Sequence, residues 1–120
     1  MRNNLLKSFG YAFEGIVELL RKERNFQIHC FALVVVVGAG FFFSITRLEW
    51  VIILLVSALV LALEGVNTAI EKLCDLYSTE QHSQIKKIKD IAAGAVLVAA
   101  IFAAIIGGII FLPKLMLFLQ

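Results

Sequence analysis

Between Val51 and Leu63 the chain runs through thirteen residues of which only Ser57 is polar. It then continues into Glu64-Gly65-Val66-Asn67-Thr68-Ala69-Ile70-Glu71-Lys72-Leu73-Cys74-Asp75. The first stretch reads as part of a membrane span, so the polar residues that follow belong to the same helix. At about 100° per residue, Asn67, Glu71 and Asp75 fall roughly 60°, 20° and 20° from Glu64 around the helix axis. One face of an otherwise apolar rod is therefore polar. Ionisable groups at membrane depth are costly and by default point to function.

Composition agrees. Of the 120 residues 61% are hydrophobic, and the mean hydropathy is +0.94. A soluble domain is nearer half apolar. The net charge of +2 gives no basic patch, so nucleic acid is not an expected partner. Cys30 and Cys74 lie in no CxxC and no zinc-spaced cluster, and are expected to be free thiols. The N-terminus lacks the apolar core and cleavage site of a signal peptide, so the first span is expected to act as its own insertion signal.

The expected architecture is all-α and integral to the membrane, in one domain covering 1–120. Leu5, Leu6, Phe9, Phe13, Ile16, Val17 and Leu20 recur at helical spacing, opposite Lys7, Glu14, Glu18, Arg21 and Lys22. Residues 1–22 therefore read as an amphipathic helix, lying in the membrane surface or packed on the bundle. Continuing it to Glu23 would put a carboxylate on the apolar side. Either the helix breaks near there or Glu23 points inward. Three transmembrane helices follow at 26–45, 50–75 and 90–112, with Thr46–Glu49 as a polar turn, 76–88 as a polar connection and Pro113 ending the last span. Arg2, Lys7, Arg21, Lys22, Arg24, Lys72, Lys86, Lys87 and Lys89 fall on one side of this topology, and only Arg47 and Lys114 on the other. The positive-inside rule then puts the N-terminus in the cytoplasm. Small residues from Ala92 to Gly108 form a packing face on the third span, consistent with association between copies.

Depth narrows the chemistry. Glu64 lies about 21 Å along the second span from Trp50, and Glu71 about 31 Å, close to cytoplasmic water. The polar face could thus touch a lipid headgroup at one end and a soluble molecule at the other. Glu23, Lys89 and Asp90 enter their spans at the same level, and Lys7 and Tyr11 lie on the polar face of the N-terminal helix. Such a set could form a metal–nucleotide site, with Glu23 and Glu71 for Mg²⁺ and Lys89 and Lys7 for phosphate oxygens. Glu64, deeper and partly desolvated, suits a general base. A lone polar residue in a span usually serves as glue between helices; three more on the same face argue against that here. Lys86 and Lys87 fit topology and headgroup contact. His82 is of a type more often solvated in a loop, and Tyr11 of a type more often an interface anchor. No Walker or kinase glycine loop is present.

The run Glu64-Gly-Val-Asn67-Thr-Ala-Ile-Glu71, then Asp75, then Lys89-Asp90-Ile-Ala-Ala-Gly-Ala-Val96, resembles the signature of the prokaryotic diacylglycerol kinase and undecaprenol kinase family. The resemblance extends over nearly the whole chain, including Gly10-Tyr11, Gly15 and Glu23. It implies a homotrimer of three-span subunits with composite active sites, transferring the γ-phosphoryl of MgATP to a lipid hydroxyl. By motif position Glu64 matches the catalytic base, and Glu23 and Glu71 the metal-binding glutamates. Tyr11, Lys89, Asp90 and the stretch Glu80-Gln81-His82 match nucleotide contacts. Asn67 matches an amide supporting the site, and Lys7 a basic position near the phosphates. Asn4 stands where one branch has arginine. His29 stands where the diacylglycerol-specific branch is acidic, which tilts the acceptor toward a polyprenol. Two other classes compete on the residues alone: a channel or transporter subunit lined by the acidic face, and a non-catalytic membrane scaffold. The displacement of the polar face from the midplane argues against a carrier.

Overall fold

A computed structural model describes residues 4–78 and 82–120. The described residues are all-helical, in four helices: α1 (Leu5–Lys22), α2 (Arg24–Phe42), α3 (Arg47–Tyr77) and α4 (Ser83–Phe118). The last three are long and apolar enough to cross a membrane. α3 packs chiefly against α4, α2 packs on α3, and α1 packs mainly on α2. In α1 no residue is buried, and Leu5, Leu6, Phe9 and Phe13 stand exposed.

The corners follow from local chemistry. Asn4 caps α1, its side-chain oxygen accepting from the Leu6 amide at 3.0 Å. The α1–α2 break occurs at Glu23, whose extended backbone (φ −104, ψ 109) both ends α1 and precedes α2. At Glu23 both alternatives hold: the helix breaks, and the carboxylate turns toward α3. Gln27 seals the corner, its side-chain amide donating to the Leu20 carbonyl at 2.8 Å, one of the acceptors that a helix C-terminus leaves open. Between α2 and α3, Ser44 takes a left-handed conformation (φ 52). Thr46 then starts α3 with a capping box: its hydroxyl accepts from the Glu49 amide at 3.2 Å, and the Glu49 carboxylate accepts from the Thr46 amide at 2.9 Å. A Cβ on Gly40 would lie 2.6 Å from the Trp50 ring, so only glycine admits this close approach of α2 to α3.

Several expected boundaries move. The turn is at residues 43–46 and not at Thr46–Glu49, because Thr46 is a cap and Arg47–Glu49 form the first helical turn. α4 begins at Ser83, so much of the expected polar connection is helical. Pro113 does not end the last helix; it lies inside α4, which continues to Phe118. In an apolar setting a helix loses more by breaking than by leaving one carbonyl without its proline-displaced partner. At 31 and 36 residues, α3 and α4 are about 46 and 54 Å long, well beyond a hydrocarbon core of about 30 Å.

The apolar core sits at one end of the bundle, where Ile45, Ile53 and Ile110 pack with Val36, Phe43, Trp50 and Phe111. On the same side Lys114 Nζ approaches the Glu49 carboxylate at 3.4 Å.

Candidate active site

The opposite half of α3 carries the polar stripe, and the fold buries its inner end while Glu71 and Asp75 stay exposed. Glu64 is 3% exposed, Asn67 6% and Thr68 5%. They are buried because the face that carries them is the one α3 turns toward its neighbours. Gly65 aids this: a side chain there would meet Leu19 of α1 at 3.2 Å.

Asn67 links the two acidic residues on its face. Its side-chain amide donates toward Glu64 Oε2 at 3.5 Å and toward Glu71 Oε1 at 3.3 Å. The amide is consumed by these contacts, and Asn67 Oδ1 is left buried without a hydrogen-bond partner. An unsatisfied buried acceptor costs about 1–3 kcal/mol. In a native protein such an atom calls for a donor, which a substrate hydroxyl or amine can supply. The other oxygen of Glu64 faces α2, where His29 Nε2 lies 3.5 Å from Glu64 Oε1. His29, Glu64 and Asn67 line a cavity of about 290 Å³ with Asn25 of α2 and Ala93, Val96, Leu97 and Ala100 of α4. A second, apolar slot of about 240 Å³ shares His29 and Ala100 with it and runs between α2, α3 and α4 past Val60 and Ser57 to Ile53.

The remaining expected residues lie around this core. Glu23 faces α3, with Lys72 Nζ 3.9 Å from its carboxylate, next in sequence to Glu71. Lys89 donates to Asp75 at 2.6 Å, tying α4 to the outer turn of the stripe. Asp90 accepts from Lys86 at 2.7 Å within α4. His82 caps α4, its Nδ1 accepting from the Gln84 amide at 3.3 Å. Glu80 lies outside the described residues. Lys7 and Tyr11 are exposed on α1, and no hydrogen bond or ion pair among the described residues links them to the stripe. Cys30 and Cys74 are both free thiols.

The sequence marked His29 only as a position bearing on the acceptor, and its place beside Glu64 was not foreseen. The available signal was its ionisable ring inside an apolar helix, which by itself marks a functional candidate.

A buried acid and amide and a half-buried imidazole are thus gathered at one end of a bundle whose three long helices are apolar enough to cross a membrane. Residues 10–111 match the family described as prokaryotic diacylglycerol kinase. The chain is 47% identical over 113 residues to the undecaprenol kinase of Bacillus subtilis, covering 94% of this chain and 92% of that one. It is 43% identical to the diacylglycerol kinase of Synechocystis sp., covering 94% of this chain and 65% of that one. The diacylglycerol kinase of Escherichia coli is 28% identical, with 84% and 83% covered. The chain belongs to the prokaryotic diacylglycerol kinase family.

Proposed function

We propose that this protein is a membrane lipid kinase that moves the γ-phosphoryl of MgATP to a lipid hydroxyl at the Glu64–Asn67–Glu71 face. The observation that carries this is the burial of Glu64 beside a cavity, with its carboxylate held between Asn67 and His29. The acceptor is undecaprenol ahead of diacylglycerol, an order supported by the 47% identity to a protein named undecaprenol kinase. The apolar slot beside His29 offers room for part of the lipid chain, leaving the hydroxyl at the polar end.

Glu64 takes the proton of the lipid hydroxyl as the oxygen attacks phosphorus. Asn67 Oδ1, the acceptor without a partner, orients a donor in the same cavity. Lys89 sits 2.6 Å from Asp75 and is placed to turn toward phosphate oxygens. Mg²⁺ is held by hard oxygen ligands, usually one or two carboxylates together with substrate phosphates. Glu23 and Glu71 fit that requirement, since the Lys72 contact brings Glu23 to the α3 turn beside Glu71. Bound there, Mg²⁺ would neutralise charge developing on the phosphates. Positioning and electrostatics carry most of the rate in such transfers.

Lys7, Tyr11, Glu80, His82 and Asp90 complete the proposed nucleotide contacts. That no hydrogen bond or ion pair among the described residues ties Lys7 or Tyr11 to the stripe supports a composite site, in which α1 of one subunit serves the stripe of another within a homotrimer. The exposed apolar residues of α1 support its lying in the membrane surface, and the distribution of Lys and Arg supports a cytoplasmic N-terminus.

The test is transfer of labelled γ-phosphate in mixed micelles, with undecaprenol and diacylglycerol offered in parallel. Labelled undecaprenyl phosphate in excess supports the reading. Labelled phosphatidic acid alone would reverse the lipid order, and no labelled lipid from folded protein would remove the kinase assignment.

A further inference from the structure

The proton that Glu64 accepts has to leave. With its side chain 4% exposed, Glu64 is nearly closed off from the surface. Its Oε2 is occupied by the Asn67 amide, which donates and cannot accept a proton. Its Oε1 faces His29 Nε2 at 3.5 Å, and the His29 side chain is 26% exposed. His29 therefore stands between a nearly enclosed carboxylate and the surface of the chain. α4 contributes only Ala93, Val96, Leu97 and Ala100 to the shared cavity, and α2 adds only the neutral Asn25. His29 and Glu64 are the only ionisable side chains lining it among the described residues. Imidazole is the side chain that takes up and releases protons near neutral pH.

We propose that His29 is the proton-relay residue of this kinase, carrying the proton from Glu64 to water in each turnover; this rests on Glu64 being the base. The lipid O–H bond breaks and its proton goes to the Glu64 carboxylate. The lipid oxygen forms its bond to the γ-phosphorus, and the bond from that phosphorus to the bridging oxygen breaks, leaving its electron pair on ADP. The Glu64 carboxylic acid then passes the proton to unprotonated Nε2 of His29. The imidazolium gives a proton to water at its exposed edge. Glu64 is returned as carboxylate, and the sum is lipid alcohol plus ATP giving lipid phosphate, ADP and one released proton.

His29→Gln keeps a hydrogen-bonding group near the Nε2 position but cannot relay a proton. Its kcat is expected to fall about 10- to 100-fold, with KM for MgATP within about twofold. His29→Ala should fall similarly, and added imidazole should raise its kcat several-fold in a concentration-dependent way, which a structural role would not allow. Glu64→Gln is run beside them. A His29→Gln variant with wild-type kcat, or a folded His29→Ala variant indifferent to imidazole, overturns the relay while a dead Glu64→Gln leaves the base standing. An active Glu64→Gln overturns both, and locates the fault in the base assignment.

Discussion

Ile53 and Glu64 lie on the same face of α3, three turns apart, and each is 3% exposed. Around Ile53 the neighbours are Ile45, Ile110, Trp50 and Phe111, all apolar. Around Glu64 they are His29 and Asn67. Packing alone therefore does not distinguish the two ends; what is packed does. At the Ile53 end every buried group is content in hydrocarbon, and a capping box and close-packed rings fix the α2–α3 corner. At the Glu64 end the fold buries a carboxylate and leaves an amide oxygen without a donor. Real proteins break the rules of polar satisfaction where they work, and stabilise themselves elsewhere. One end of this bundle holds the helices together so that the other can hold reactive groups.

Three substitutions probe that division, from the largest effect down. Ile53→Ala should cost about 2 kcal/mol of stability in detergent unfolding; lipid is itself apolar, so the lost cavity contacts dominate over transfer. The molecules that remain folded should turn over normally, and a kcat loss without a stability loss would blur the two ends into one. Glu71→Gln should do the reverse. The Mg²⁺ concentration for half-maximal activity should rise tenfold or more, equivalent to about 1.4 kcal/mol, with unfolding unchanged. An unaltered Mg²⁺ titration would take Glu71 out of the metal shell. Ser44→Gly relieves a left-handed residue at the apolar corner and should stabilise by roughly 0.5–1 kcal/mol with no effect on turnover. A lower unfolding temperature would mean that the serine side chain contributes more at φ 52 than its backbone strain costs.

Much of this contrast was legible in the sequence. The three spans are strongly apolar, and the spacing of Glu64, Asn67, Glu71 and Asp75 is enough to put them on one face. At Glu23 the sequence left two readings of a carboxylate on the apolar side of α1, a break or an inward turn, and only the structure shows the break. Helix ends were harder. Pro113 carries a breaking signal learned in water, whereas α4 continues past it because an apolar medium offers the backbone no other partner. The pairing of His29 with Glu64 and of Lys89 with Asp75 depends on how α2 and α4 register against α3. That register is tertiary, and no local pattern states it. The isolation of Lys7 and Tyr11 from the stripe is likewise invisible to helical spacing, which assigns a face but no neighbour.

The most direct measurement is turnover and thermal unfolding of Glu64→Gln, taken on the same preparation. Replacing a buried carboxylate by its neutral isostere removes the base while keeping the shape. Turnover is expected to drop by about 10²–10⁴-fold while the unfolding temperature holds or rises. Near-normal turnover with a lowered unfolding temperature would contradict this, and would make Glu64 a structural tie between α2 and α3.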